Sequence, residues 1–399
     1  MQLPVIDLDR HVIEPMNVWE EYVESRIRRE MPVQLQFDDV KKAEDRVKRL
    51  GRLEAGMELL PILKLGDYPI MKLWNEALHI ESSLNSESSL PNRYEAMSST
   101  GQLKSMDRHG VAIANLVPTF TSHIVNHEQA DAKVSLAYAQ AYNRWLADYC
   151  QEQPSRLLGS GIISRHDPNT FKQQVEDIAK LGWKSIVIRP EVINGNSLGA
   201  ENHDMLWQAC SYHEISVVIH GGTHFPGQSA GNDRYTSHFA LHACSHSMEI
   251  QMAFLSLIDS GVLNRFPNLN FAFLEAGASW LPHWLWRLDN VCYPEFPALV
   301  RDHMPLKPSE YFAKQCFVSA EPGEPCLPEI TKYVGEDCLV YGSDFPHPDH
   351  LDLHSDLSGK FSSLGAQQLE KMFTTNALRF LNLKNIEHPS PKVLEAQMN

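Results

Sequence analysis

Asp7, Asp9 and His11 stand two residues apart in VIDLDRHVIEP, a spacing that puts all three side chains on one face of a strand. His220 ends the run VVIHGG, Glu275 lies in FLEAG, and Asp344 lies in YGSDFPHPD with His347 three residues on. Arg165, His166, Arg189 and Glu321 also follow short apolar runs. Each has an ordinary use alone: a lone histidine is commonly a hydrogen-bonded core residue, and an aspartate after a strand commonly caps a helix. Gathered at one place they are different. Buried carboxylates and imidazoles are costly unless a cation or protons compensate them. A divalent metal ion does so directly, and a metal site is therefore expected.

The elements that would position these residues are short and apolar. Runs at 5–8, 111–117, 157–163, 185–188, 215–219, 269–274, 316–319 and 338–341 are compact and rich in β-branched residues, as strands buried on both faces are. Helical patterns separate them at 128–149, 168–181, 203–213, 237–259, 281–288, 328–334 and 367–381. Eight strands alternating with helices predict an α/β fold, a (β/α)8 TIM barrel spanning residues 1–399. A doubly wound open sheet competes, but no Gly-rich phosphate fingerprint follows any strand. In a barrel the chemistry gathers where strands end. Histidine, aspartate and glutamate at the ends of strands one, five, six and eight then converge on one cavity, with Asp344 expected across its mouth from Asp9 and His11.

Residues 15–99 do not fit the alternation. They form a long insertion between strands one and two, with a basic-acidic helical pattern at 26–57 and a serine-rich loop at 81–89. The insertion reads as a cap over the catalytic end, a subunit contact, or a solvated excursion without a role. No internal repeat is present.

The 399 residues carry 35 Lys plus Arg against 50 Asp plus Glu, a net charge of −15, which disfavours a nucleic-acid binder. Hydrophobic residues at 43% and charged residues at 21% are an ordinary globular balance. Seven cysteines without a CxxC pair read as reduced thiols of a cytoplasmic protein. No signal-peptide pattern opens the chain, and no stretch approaches the ~20 apolar residues of a membrane span. A soluble cytoplasmic protein is the expectation.

Four stretches together resemble the amidohydrolase superfamily, in its amidohydrolase-2 group of muconate-semialdehyde and resorcylate-type decarboxylases: VIDLDRHVIEP, VVIHGG, FPNLNFAFLEAGASWLP and YGSDFPHPD. The resemblance spans nearly the whole chain and implies the barrel, one divalent metal ion, and Asp9, His11, His220 and Asp344 as its ligands. Asp9 stands where that group usually has a histidine. A carboxylate there makes manganese or iron as plausible as zinc. Glu275 stands where a histidine is expected after strand six, and is read as a general base, a substrate contact, a further ligand or a structural carboxylate.

Other residues have candidate roles. His224, on the loop at 223–236, is a candidate acid. Arg189 could clamp a substrate carboxylate or form a strand-end ion pair. His238, His242 and His246 recur every four residues and would line a pocket mouth or a polar helix face, with His246 as a substrate contact. His347 would orient Asp344 or touch substrate. The leading expectation is a metal-dependent, nonoxidative decarboxylase of a small aromatic or unsaturated carboxylic acid, with Asp344 or His224 delivering the proton. A metal-dependent hydrolase, a hydratase, and an inactive barrel used for binding are the alternatives. A homodimer with a small-molecule substrate and no membrane or nucleic-acid partner is expected.

Overall fold

A computed structural model of the chain describes residues 4–36, 62–72, 92–222, 228–295, 297–347 and 357–383. Eight of its strands form one parallel sheet: β1 (Val5–Val12), β5 (Val111–Pro118), β6 (Leu157–Ile162), β7 (Ser185–Ile188), β8 (Ser216–His220), β9 (Phe271–Leu274), β10 (Cys316–Ala320) and β11 (Leu339–Tyr341), each bonded to the next in that order. β7, β8, β9, β10 and β11 are buried at every residue, the signature of parallel strands covered on both faces. Just beyond the last strand, Arg10 bridges Phe345 in parallel, and the sheet closes on itself. The fold is the (β/α)8 barrel that the alternation predicts.

Closure corrects one expectation. Strand eight of a closed barrel lies beside strand one, so Asp344 is the neighbour of Asp9 rather than its opposite. The Asp344 amide donates to the Asp9 carbonyl at 2.8 Å, and the His11 amide donates to the Phe345 carbonyl at 2.7 Å. A Cβ at Gly342 would stand 2.6 Å from the Asp9 Cβ, so only glycine lets the two strand ends approach this closely.

The insertion departs from the helical pattern. A helix, Ser25–Glu30, ends before Pro32, and β2 (Val33–Gln36) follows with the alternating residues of a strand. It pairs antiparallel with β3 (Ile62–Leu65), which pairs with β4 (Tyr68–Lys72), giving a separate three-stranded sheet. Period two in VQLQ outweighs the local helical pattern. The rest of the helical expectation and the serine-rich loop lie outside the described residues. Tyr138, on the helix Ala132–Cys150, donates to the Met31 carbonyl at 2.7 Å, and the Tyr68 ring lies 6.0 Å from that of His127, beyond the end of β5.

The predicted helices at 237–259 and 367–381 are each interrupted by a π-helical turn, at Cys244–Met248 and Lys371–Thr375. The first of these turns carries His246. All seven cysteines are free thiols. Among the described residues no helix is long and apolar enough to cross a membrane.

Candidate metal centre

β1 delivers its polar residues to two different tasks. Register shifts against β5 between Asp7 and Arg10 break the simple alternation. Asp7 turns to Arg10, 3.2 Å away, and accepts from the Ser343 amide and hydroxyl at 2.9 and 2.5 Å. Arg10 also reaches Ser105 and Gln102 and lies over the Phe345 ring. This buried network ties β1 to the end of β11. Burial raises the Asp7 carboxyl although Arg10 opposes it.

Asp9 and His11 turn to the cavity. His220 Nε2 lies 2.9 Å from Asp9 Oδ1, and His11 Nε2 lies 3.0 Å from His220 Nε2. His11 Nε2 is also 3.5 Å from Asp9 Oδ1 and 3.3 Å from Asp344 Oδ1. All four residues are buried. Asp9, His11 and His220 form one compact group of ligand atoms, and His11, Asp344 and His347 form a second that shares His11.

Hydrogen bonds fix which ring nitrogens face inward. The His11 Nδ1 proton points to the Pro118 carbonyl at 3.1 Å and that of His220 to the Gly221 carbonyl at 3.2 Å, while Glu275 Oε2 lies 3.2 Å from His220 Nδ1 as a charge partner. Both Nε2 atoms therefore face each other. Burial and then the nearby His347 push His11 down to about 4. Burial works against charge on His220, but Asp9 and Glu275 outweigh it and hold the ring up to about 10. Burial would raise Asp9 as well, yet His220 and His11 hold it well below the usual carboxylate range. A proton on His220 is thus held where two carboxylates and a second imidazole converge. Mixed nitrogen and oxygen donors turned on one point fit a divalent cation of the borderline or harder kind.

Glu275 follows β9 at φ +56°, and Asp344 follows β11 at φ +52°. Neither is glycine, so each left-handed conformation costs about 1–2 kcal/mol. Such strain gathers where a side chain must be aimed. Glu275 Oε2 meets His220, and Oε1 stands 3.6 Å from His246 Nε2. Burial opposes its charge, but His220 and His246 hold the carboxyl well below its usual range. The π-helical turn stacks His246 on His242 with ring centroids 4.2 Å apart, and His246 Nδ1 donates to the His242 carbonyl. Gly222, at φ +121°, leaves room for Glu275, because a Cβ there would lie 3.3 Å from Oε2.

The structure therefore brings Asp9, His11, His220, Asp344, Glu275, His246 and His347 into one connected cluster. His347 Nδ1 donates to Asp344 Oδ1 at 2.7 Å. Arg189 takes the strand-end alternative: Nε and Nη2 donate to the two Glu191 oxygens at 2.9 and 2.5 Å, and the pair is buried. The fork expected for a substrate carboxylate is engaged inside the protein. His224 lies outside the described residues. Arg165 is likewise structural, with its guanidinium on the carbonyls of Arg189, Glu191 and Asn196.

Two residues were not foreseen. Thr119 Oγ1 lies 3.2 Å from both His11 Nδ1 and His347 Nε2. Glu14 accepts from the amides of Phe120 and Thr121 at 3.0 and 2.9 Å and so fixes the backbone around Thr119. Extending the inventory of strand ends to the second strand, NLVPTF, would have found the threonine.

Comparisons with known proteins agree with this architecture. The chain is 27% identical over 252 residues to a 2-amino-3-carboxymuconate-6-semialdehyde decarboxylase of Dictyostelium discoideum, covering 62% of this chain and 67% of that one. An amidohydrolase from Mycobacterium avium subsp. paratuberculosis superposes with a TM-score of 0.74 at 19% identity, over 96% of this chain and all of that one. A dihydroxybenzoic acid decarboxylase from Polaromonas sp. JS666, solved with bound manganese and the inhibitor 2-nitroresorcinol, gives a TM-score of 0.66 at 15% identity, over 98% of this chain and 100% of that one. Residues 73–383 match the amidohydrolase family. That match covers most of the barrel, and the chain belongs to the amidohydrolase family as an enzyme of its metal-dependent carboxy-lyase or hydrolase type.

Proposed function

We propose that this enzyme removes carbon dioxide, without redox chemistry, from a small aromatic or unsaturated carboxylic acid, using one divalent metal ion. The observation that carries the reading is the buried group of Asp9, His11 and His220, to which His11 joins Asp344, in a chain whose matched relatives include decarboxylases. A divalent ion held by these four residues would stabilise the negative charge of the substrate as bonds to carbon change. The Asp9 carboxylate and the manganese bound in the dihydroxybenzoic acid decarboxylase favour manganese, with zinc and iron as the other candidates.

Protein groups then handle one proton and one position. The substrate carbon bearing the carboxylate accepts a proton, the bond to the carboxylate carbon breaks, and its electron pair returns to the ring as carbon dioxide leaves. Asp344 carries the proton, with His347 Nδ1 on its Oδ1 to restore it. Glu275, kept ionised by His220 and His246, serves as the base that organises the substrate's acidic hydroxyl, and His246 lines that side of the cavity.

The insertion acts as a cap, supported by Tyr68 of β4 lying near His127 at the barrel's catalytic end. We also read the enzyme as a cytoplasmic homodimer. Free thiols support the compartment, and the exposed apolar side chains of Phe239, Met248 and Met252 support a subunit contact.

Incubation of the manganese-loaded enzyme with a panel of hydroxylated aromatic carboxylic acids in D2O tests the reaction. Carbon dioxide release with one deuterium at the vacated carbon is expected. Turnover of amides or esters alone would replace the reading with hydrolysis.

A further inference from the structure

The hydroxyl of Thr119 sits beside two neighbouring imidazoles, those of His11 and His347, whose ring centroids are 4.2 Å apart. Its Oγ1 is 3.2 Å from His11 Nδ1 and 3.2 Å from His347 Nε2, and the residue is buried. The protons in this chain can be assigned from chemistry alone. An ionised carboxylate only accepts, so the 2.7 Å contact to Asp344 Oδ1 requires a proton on His347 Nδ1. That leaves His347 Nε2 facing the Thr119 hydroxyl, and the hydroxyl's one proton is the donor of that contact. A hydroxyl has one proton, so toward His11 the same oxygen accepts. The Pro118 carbonyl, 3.1 Å from His11 Nδ1, demands a proton at that same nitrogen. Every bond in the series runs one way, from His11 Nδ1 to Thr119, from Thr119 to His347 Nε2, and from His347 Nδ1 to Asp344.

The ends of the series meet again, because His11 Nε2 and Asp344 Oδ1 are 3.3 Å apart. We propose that Thr119 is the positioning residue that closes this ring, holds the His11 and His347 rings in register, and thereby aims the His11 lone pair and the Asp344 carboxylate at one cation. The proposal rests on the reading of His11 and Asp344 as ligands. Glu14 supports the geometry by holding the amides of Phe120 and Thr121, next along the chain. Partners of this kind behind metal-binding histidines govern affinity by orienting the ring and fixing its tautomer.

The test compares Thr119→Val, which keeps the shape and removes the hydroxyl, with Thr119→Ser, which keeps the hydroxyl. Long-range proton–nitrogen spectra of the metal-free protein read the tautomers without any ligand. His347 should keep its Nδ1–H form in all three proteins, while its Nε2 resonance, which reports the hydrogen bond to Thr119, should match in the wild type and the Ser variant and shift in the Val variant. Titration with Mn2+ should then show about 10-fold to 100-fold weaker binding for Thr119→Val and less than about 3-fold change for Thr119→Ser. An unchanged His347 Nε2 resonance in the Val variant overturns the proposal. So does wild-type Mn2+ affinity in the Val variant while His11→Ala loses binding. If His11→Ala binds Mn2+ as tightly as the wild type, the ligand reading itself fails, and the Nε2 resonance identifies that failure separately. Should the Val variant not fold, Thr119→Ala takes its place against the Ser variant.

Discussion

His11 and His220 turn their Nε2 atoms toward each other at 3.0 Å, each with its Nδ1 proton directed away, to a backbone carbonyl. Two lone pairs at that distance repel unless something positive lies between them. In the protein alone that is a proton, held on His220 up to about 10 by Asp9 and Glu275 against the opposition of burial. A divalent cation would take its place.

Cation uptake should therefore expel that proton. Between pH 7 and 9 the affinity for Mn2+ should rise by about tenfold per pH unit, because one proton leaves for each ion bound. Calorimetric titrations in buffers of different ionisation enthalpy measure the release. An affinity independent of pH over this range would mean that the cation does not compete with the His220 proton.

Glu275 is placed to exchange a proton yet need not hold the metal. Glu275→Gln should lower kcat by roughly 10²–10⁴ while metal content stays near that of the wild type. Loss of metal in this variant would make the residue a ligand, and normal kinetics would make it structural.

Arg189 should matter to stability first. Its fork is joined to Glu191 inside the protein, and Arg189→Ala leaves a buried carboxylate without its partner. A loss of about 3–5 kcal/mol is expected in denaturant unfolding. A variant of wild-type stability with only a raised KM would restore the reading of Arg189 as the substrate clamp.

Glu249 gives the fold a pH signature. Burial and the neighbouring Glu191 raise its carboxyl to about 7, against a usual value of 4.5. Between those values the folded state binds more protons than the unfolded state, so stability falls as pH rises from 4.5 through 7. Glu249→Gln keeps an oxygen for the Ala230 amide and removes the charge. At pH 8 it should be more stable by roughly 1–3 kcal/mol, with no gain near pH 4.5. Equal melting temperatures of variant and wild type at pH 8 would contradict the assignment.

The barrel was legible because each strand is a short, doubly buried apolar run. The cluster was legible because function in this fold sits at strand ends, and Asp9, His11, His220, Glu275 and Asp344 all stand there. Three features could not be read in the same way. Asp344 lies beside Asp9 because closing a barrel joins its first and last strands, a relation between residues more than 300 apart in the chain. Arg189 is engaged by Glu191, two residues on, and spacing alone does not say which way a side chain turns. The π-helical turn at Cys244–Met248 leaves His242 and His246 stacked, where a regular helix predicts only one stripe. Thr119 was missed for another reason: a threonine carries no charge, and its importance depends on the two imidazoles folding brings to it.

Elemental analysis of the purified enzyme beside its Asp344→Ala and His220→Ala variants tests the central claim most directly. The Asp9, His11 and His220 group with Asp344 beside it predicts about one divalent ion per wild-type chain, removed by a chelator with reversible loss of carbon dioxide release, and little or none in either variant. A wild-type protein that is free of metal and fully active would contradict it.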